Sequence, residues 1–206
     1  MTCVIGFRTN NNIIMSCDTQ GSNGYTKENI TYENCKIIKR QGLLFGIAGS
    51  FVLSDLIRYH LHIPAWDDQK YGQLAYVHKM LMPSIKSCFR ENNFLEISDN
   101  VCDMEGSIIL GMPGRSKEER PKLLKIQSDF SCLEIENDYC AIGIGELAAL
   151  GSIFGYAPDR QDETEIQKCL MTAQNAANFF NVGVSEEIVI KTLKNSDDYL
   201  GYKEEE

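Results

Sequence analysis

Thr2-Cys3-Val4-Ile5-Gly6-Phe7-Arg8 opens the chain, and three further pieces follow in order: Ser16-Cys17-Asp18-Thr19-Gln20-Gly21-Ser22, Asn34-Cys35-Lys36-Ile37-Ile38 and Ala48-Gly49-Ser50. The first piece reads as a strand, and Asn10-Asn11-Asn12 turns it back, because Asn tolerates the left-handed backbone region at little cost. Ile13 to Cys17 is the returning strand and delivers Asp18 at its end. Cys35 to Arg40 is a third strand with Lys36 near its start. Gln41-Gly42 turns it into Leu43 to Ala48, and Gly49-Ser50 opens a helix. Hairpins place strand ends side by side, so this order predicts that Thr2, Asp18, Lys36 and the Gly49 amide converge.

Those residue types fit one chemistry. Removal of Met1 leaves Thr2 with a hydroxyl and a free α-amine on one residue, and an adjacent amine is a recognised general base for a hydroxyl nucleophile. Lys36 supplies positive charge that favours the ionised hydroxyl, and Asp18 pairs with Lys36 to orient it. The Gly49 N–H, at a helix start, faces a developing oxyanion.

The set, in this order, resembles the proteasome β-subunit and bacterial HslV-type peptidases, the N-terminal nucleophile hydrolases. The Asp18-Thr19-Gln20 version is similar to the HslV type. The resemblance is clear over the first sixty or so residues and weaker, though in order, afterwards. It implies a threonine peptidase acting on peptide or unfolded protein, with Thr2, Asp18, Lys36 and Gly49 catalytic and no cofactor or metal. By the same resemblance Gln20, Gly21 and Ser22 offer backbone groups to an extended substrate, and Asn34, Ile38, Ile47 and Phe51 line the pocket for the side chain before the scissile bond. Bulky Ile47 and Phe51 then favour small or medium apolar side chains. The resemblance also implies a homo-oligomeric ring, with Phe51, Tyr71 and Tyr76 as contact residues, and an ATP-dependent unfoldase as partner.

Later in the chain the pattern departs from the family. Tyr139 to Ile142 reads as a buried strand leading into Gly143-Ile144-Gly145. Relatives carry Ser where Ile144 stands, and an Asp supporting the terminal amine where the nearest match is Asn178, with Asn181 in the neighbouring supporting position. These departures keep two alternatives open: a catalytically inert structural ring subunit, and a small-amide acylase on the same fold.

Composition sets the bounds. The 206 residues are read as one domain spanning 1–206, and 43% hydrophobic content is ordinary for a buried core. A net charge of −9 argues against nucleic acid or an anionic membrane surface as main partner. No basic segment followed by an apolar run opens the sequence, and no apolar stretch is long enough to span a bilayer, so a cytoplasmic location is expected. Eight cysteines without a C-x-x-C pair read as reduced, mostly buried thiols. His60, His62 and His78 give poor material for a metal site.

Apolar spacing predicts a helix from Phe51 that ends before Pro64, then a second from Asp67-Asp68 broken at Pro83. Asn92 to Asp103 reads as loop, Arg115 to Arg120 as a charged hairpin turn, and Glu204-Glu205-Glu206 as a frayed tail. Asp162 and Glu165 have the spacing of a capping box opening a helix to Phe180. Strand pairs, helices, strand pairs and helices in succession predict an α+β fold, a four-layer αββα sandwich of two antiparallel sheets flanked by helices.

Overall fold

The computed structural model describes residues 2–22, 26–98, 101–114, 116 and 119–195. The mixed α and β structure is built on antiparallel sheets. One has the order β12-β1-β2-β13, from Tyr139–Gly143, Cys3–Arg8, Asn12–Asp18 and Ile188–Lys194. The other has the order β11-β10-β9-β6-β5, from Cys132–Glu134, Lys122–Ile126, Gly106–Met112, Leu43–Gly49 and Ile37–Arg40. Two short hairpins complete the strands: β3 (Gln20–Ser22) with β4 (Lys27–Asn29), and β7 (Glu96–Ser98) with β8 (Val101–Asp103).

Strand alternation sorts the apolar residues into separate clusters. Val4, Met15 and Cys17 of the first sheet pack with Ile37, Leu44 and Ile109 of the second. Their neighbours Ile5, Phe7 and Ile14 face the other way, onto Ile153, Leu170 and Ala173 of helices α4 (Glu146–Tyr156) and α5 (Glu163–Phe180). In the second sheet, Phe45, Ile47 and Leu110 pack instead on Leu53, Ile57 and Phe89 of the remaining helical segment. That segment comprises α1 (Phe51–Asp55), α2 (Gln73–Tyr76) and α3 (Met82–Glu91).

Both expected helices of that segment are present, with differences that have local causes. Each carries a wide π-helical stretch, Leu56–His60 after α1 and Val77–Leu81 after α2. Pro83 follows the second stretch, in the first turn of α3, and the helix continues through it. The second helix begins at Gln73 rather than at Asp67. The Asp67 carboxylate accepts from the Gln69 and Lys70 amides and closes a turn, while Trp66 Nε1 donates to the Tyr71 carbonyl at 2.8 Å. Part of the expected loop at 92–103 pairs as β7 and β8, three-residue strands too short to leave a periodic signal.

Asp162 caps α5 as expected, accepting from the Thr164 and Glu165 amides. Glu165 does not close the box: its carboxylate accepts from the Asp159 amide at 3.1 Å. Tyr76, expected at an oligomer contact, is 2% exposed and donates its hydroxyl to the Pro64 carbonyl, so it belongs to the core. Of the expected charged hairpin, Arg115, Lys117 and Glu118 lie outside the described residues, as does the tail at Glu204–Glu206.

At the far end of β1, Asp138 ties distant segments together. This buried carboxylate meets Arg8 of β1 at 3.4 Å, Arg120 before β10 and Arg160 between α4 and α5. Arg8 also donates to the carbonyls of Glu136 and Asn137.

Candidate active site

The near end of β1 carries the candidate site. Cys3 lies beside the end of β2, and its backbone N–H donates to Asp18 Oδ1 at 2.9 Å. The Gln20 amide donates to Asp18 Oδ2 at 3.1 Å, and the Ser185 amide reaches the same oxygen at 3.5 Å. Lys36 Nζ donates to Asp18 Oδ1 at 2.7 Å, and both side chains are buried. Backbone donors on two sides and one ammonium thus hold a carboxylate that water does not reach. Charge-assisted bonds of this kind are short and strong.

The convergence spans both sheets. Thr2 and Asp18 belong to the β1–β2 hairpin, whereas Lys36 precedes β5 and Gly49 ends β6, so the elements meet across the inter-sheet core rather than along one sheet edge. Thr2, Lys36 and Gly49 line one cleft of about 210 Å³. Thr2 is 6% exposed, more enclosed than a strand terminus predicts. Its carbonyl accepts from the Gly145 amide at 3.4 Å.

Two glycines are required here. Gly49 has φ +142°, and a Cβ on it would lie 2.3 Å from the Glu105 carbonyl oxygen. Gly143 has φ +93°, and a Cβ there would lie 2.2 Å from the Thr2 carbonyl oxygen. Gly143-Ile144-Gly145 is thus a tight turn pressed against the first residue of the site. Ser50 caps α1, its hydroxyl accepting from the Val52 amide at 3.2 Å.

The expected binding residues divide. Ser22, Ile47 and Phe51 line the cleft, together with Ser50 and Ser54. Phe51 is half exposed, and a Cβ on Gly21 would lie 3.0 Å from its ring, so the side chain forms a wall rather than core. Gln20 is buried and donates through Nε2 to the Val182 carbonyl at 3.3 Å, so it braces the site from behind. Ile38 does not reach the cleft lining: it packs in the cluster of the second sheet and its helices. Asn34 is exposed in the turn before Lys36 and is also not among the lining residues. Ile144 is 52% exposed on its turn. Asn178 is half-buried on α5, and Asn181 ends that helix, donating to the Ala177 carbonyl at 2.9 Å.

Sequence reasoning did not find Ser185 or Gln174. The fully buried Gln174 donates from Nε2 to the Cys3 carbonyl at 3.3 Å and to Ser16 Oγ at 3.1 Å, linking β1 to β2. Neither residue stands in a local motif. Each is brought in from more than a hundred residues away by the packing of α5 and β13 on the first sheet.

The thiols near the site, Cys3, Cys17 and Cys35, are buried. Burial, then the Asp18 charge, pushes Cys3 up to about 12, so it stays protonated. Between the sheets, a thiol hydrogen bond from Cys17 brings Cys35 down to about 5, and the same bond raises Cys17. Both are fully buried. Among the described residues no group of His, Cys, Asp and Glu is arranged to hold a metal ion, and no helix is long and apolar enough to cross a membrane.

No family model and no curated protein sequence matches the chain. Solved structures do. BPH of Thiobacillus denitrificans, solved in complex with epoxomicin, is similar over 94% of this chain and 99% of its own, with a TM-score of 0.71 and 16% identity. HslV of Trypanosoma brucei matches over 94% and 99%, with a TM-score of 0.62 and 17% identity. An Anbu mutant from Hyphomicrobium sp. strain MC1 matches over 97% and 90%, with a TM-score of 0.67 and 15% identity. The chain thus has the fold of the proteasome-type N-terminal nucleophile subunits across nearly its whole length.

Proposed function

We propose that the protein is a threonine-type endopeptidase whose nucleophile is Thr2 after removal of Met1. The observation that carries this reading is the buried Lys36–Asp18 pair at 2.7 Å, with Lys36 and Thr2 in one cleft. The Thr2 hydroxyl attacks a peptide carbonyl carbon, and its proton passes to the Thr2 α-amine. Lys36 stabilises the developing alkoxide while Asp18 fixes the ammonium. The tetrahedral oxyanion takes the Gly49 N–H. Collapse breaks the C–N bond as the leaving amine receives the proton, and water then hydrolyses the ester on Thr2. Among the described residues β3 pairs only with β4, and its other edge offers Gly21 and Ser22 to an extended peptide.

On the same reading the 206 residues act as one domain with four layers in the order αββα, working in the cytoplasm as a homo-oligomeric ring served by an ATP-dependent unfoldase. Assembly is supported by exposed apolar side chains on α4, α5 and the turn after them: Leu147, Phe154, Phe179, Phe180 and Val182 are 73–84% exposed. A light-scattering mass of a single chain at micromolar concentration removes the ring.

Intact mass after purification is the first test of the chemistry, with loss of Met1 expected. Thr2→Ala is the second and abolishes both peptide hydrolysis and labelling by a Thr-directed epoxyketone. Epoxomicin, the compound in the BPH complex, is the first to use. Unchanged hydrolysis in Thr2→Ala removes the proposal. Exposed Ile144, in place of a hydroxyl, favours an inert ring subunit as the second reading, and absence of labelling in any assembled form selects it.

A further inference from the structure

The cleft beside Thr2 is more polar than its sequence neighbours predict. Ile47 and Phe51 supply apolar lining, but Ser22, Ser50 and Ser54 share it. Ser54 is 8% exposed and stands one helical turn beyond the cap residue Ser50. The Ser50 oxygen already accepts from the Val52 amide, which leaves its proton to donate. At about 210 Å³ the cleft is smaller than the roughly 300 Å³ at which small-molecule pockets begin, so it suits a single side chain.

From this lining we infer that the site, read as the peptidase above, selects a neutral amide side chain, glutamine before asparagine, at the residue whose carbonyl Thr2 attacks. The two methylenes of glutamine lie along Ile47 and Phe51, and its carboxamide reaches the hydroxyls, both donating and accepting. An aliphatic side chain of the same length strips water from those hydroxyls and returns no partner. The Lys36 charge is already matched by Asp18, so neither a basic nor an acidic side chain finds an unpaired counter-ion there. A site that hydrogen-bonds its substrate rejects the analogue lacking the group more strongly than an apolar pocket rejects a methylene.

Two experiments test this, one with chemistry and one without. In a fluorogenic peptide set varied only at that residue, Gln exceeds Leu in kcat/KM by about tenfold or more, and Ser54→Ala narrows the Gln-to-Leu ratio several-fold. Leu, Lys or Glu equal to or above Gln overturns the inference, as does an unmoved ratio in Ser54→Ala. In Thr2→Ala, NMR titration with matched tetrapeptides ending in Gln or Leu ranks the same cleft without turnover. Tighter binding of Gln in a protein whose Thr2 form hydrolyses nothing keeps the inference and removes the peptidase. Equal or weaker binding of Gln, or no binding of either peptide at millimolar concentration, overturns it.

Discussion

Two buried carboxylates sit at opposite ends of β1, and both meet cations. Asp18 accepts from one buried ammonium and from backbone amides, and its partner Lys36 lines a cleft with Thr2. Asp138 meets three guanidinium groups. Arg8 is buried with it, while the side chains of Arg120 and Arg160 are 47% and 70% exposed. The ion chemistry is nearly the same. What differs is the neighbour: the cleft beside the Asp18–Lys36 pair holds Thr2, the proposed nucleophile, whereas Asp138 borders a separate cleft with Phe7, Tyr139 and Arg160 and fastens chain segments. A buried ion pair is weak evidence for either stability or catalysis by itself. The group placed next to it decides.

The comparison breaks most easily through Lys36. Lys36→Met removes the cation that shares the cleft with Thr2, and on the proposed mechanism turnover of any peptide falls by roughly 10⁴-fold, in line with loss of one member of a catalytic unit. It also leaves Asp18 buried without its cation, which costs about 3–5 kcal/mol of stability. Both are read on one preparation, by peptide hydrolysis and by chemical denaturation. Retained turnover in a folded Lys36→Met protein makes this end of β1 another fastening.

Asp138→Ala is the matching change at the other end. It leaves Arg8 buried without a counter-ion, a loss of about 3 kcal/mol, at the lower end for broken buried pairs because Arg8 keeps the Glu136 and Asn137 carbonyls. A chain of this length then melts about 6–12 °C lower. Hydrolysis at 20 °C stays within about twofold of the parent, because nothing from the Asp138 cluster lines the Thr2 cleft. A large fall in turnover with melting unchanged reverses the roles assigned to the two ends.

These ends also differ in how far the sequence announced them. Thr2, Asp18, Lys36 and Gly49 fall at strand ends within the first quarter of the chain, where local periodicity and turn residues are enough to place each one. The Asp138 cluster draws on residues 8, 120, 138 and 160, and no local pattern links them. Ser54 was hidden for another reason: in a helix a serine reads as an ordinary polar position until the cleft it faces is known. Ile38 shows the converse. It stands two residues from Lys36, yet its side chain joins Phe45 and Ile57 in the cluster beneath the helices. Alternation names the two faces of a strand without saying which layer each will meet.

Gly49→Ala tests the backbone share of the site. Its φ of +142° and the 2.3 Å approach to the Glu105 carbonyl force the loop to move, since backbone rather than a side-chain tip stands in the way. Strain of this kind costs on the order of 1–3 kcal/mol. Because the displaced amide is the proposed oxyanion donor, kcat falls further than stability does, by about 10²-fold. An equal fall in both leaves Gly49 with a purely conformational role.

The smallest expected effect sharpens the catalytic end instead of breaking it. Ile144 is half exposed on the turn whose Gly145 amide meets the Thr2 carbonyl, and its side chain brings no hydroxyl to that place. Ile144→Ser adds a donor and acceptor beside the terminal residue, and being on the surface it costs little in packing. One added hydrogen bond to the amine is worth about 0.5–1.5 kcal/mol, so kcat rises by roughly two- to tenfold, with KM changed less. Asn178→Asp, half-buried on the neighbouring helix, adds a negative charge that favours the protonated amine. Combined with Ile144→Ser it moves the acid limb of the kcat–pH profile upward, since the amine must lose its proton to serve as base. A serine variant slower than the parent, or a profile that does not move, shows that the amine is supported from elsewhere and that Ile144 belongs only to the turn.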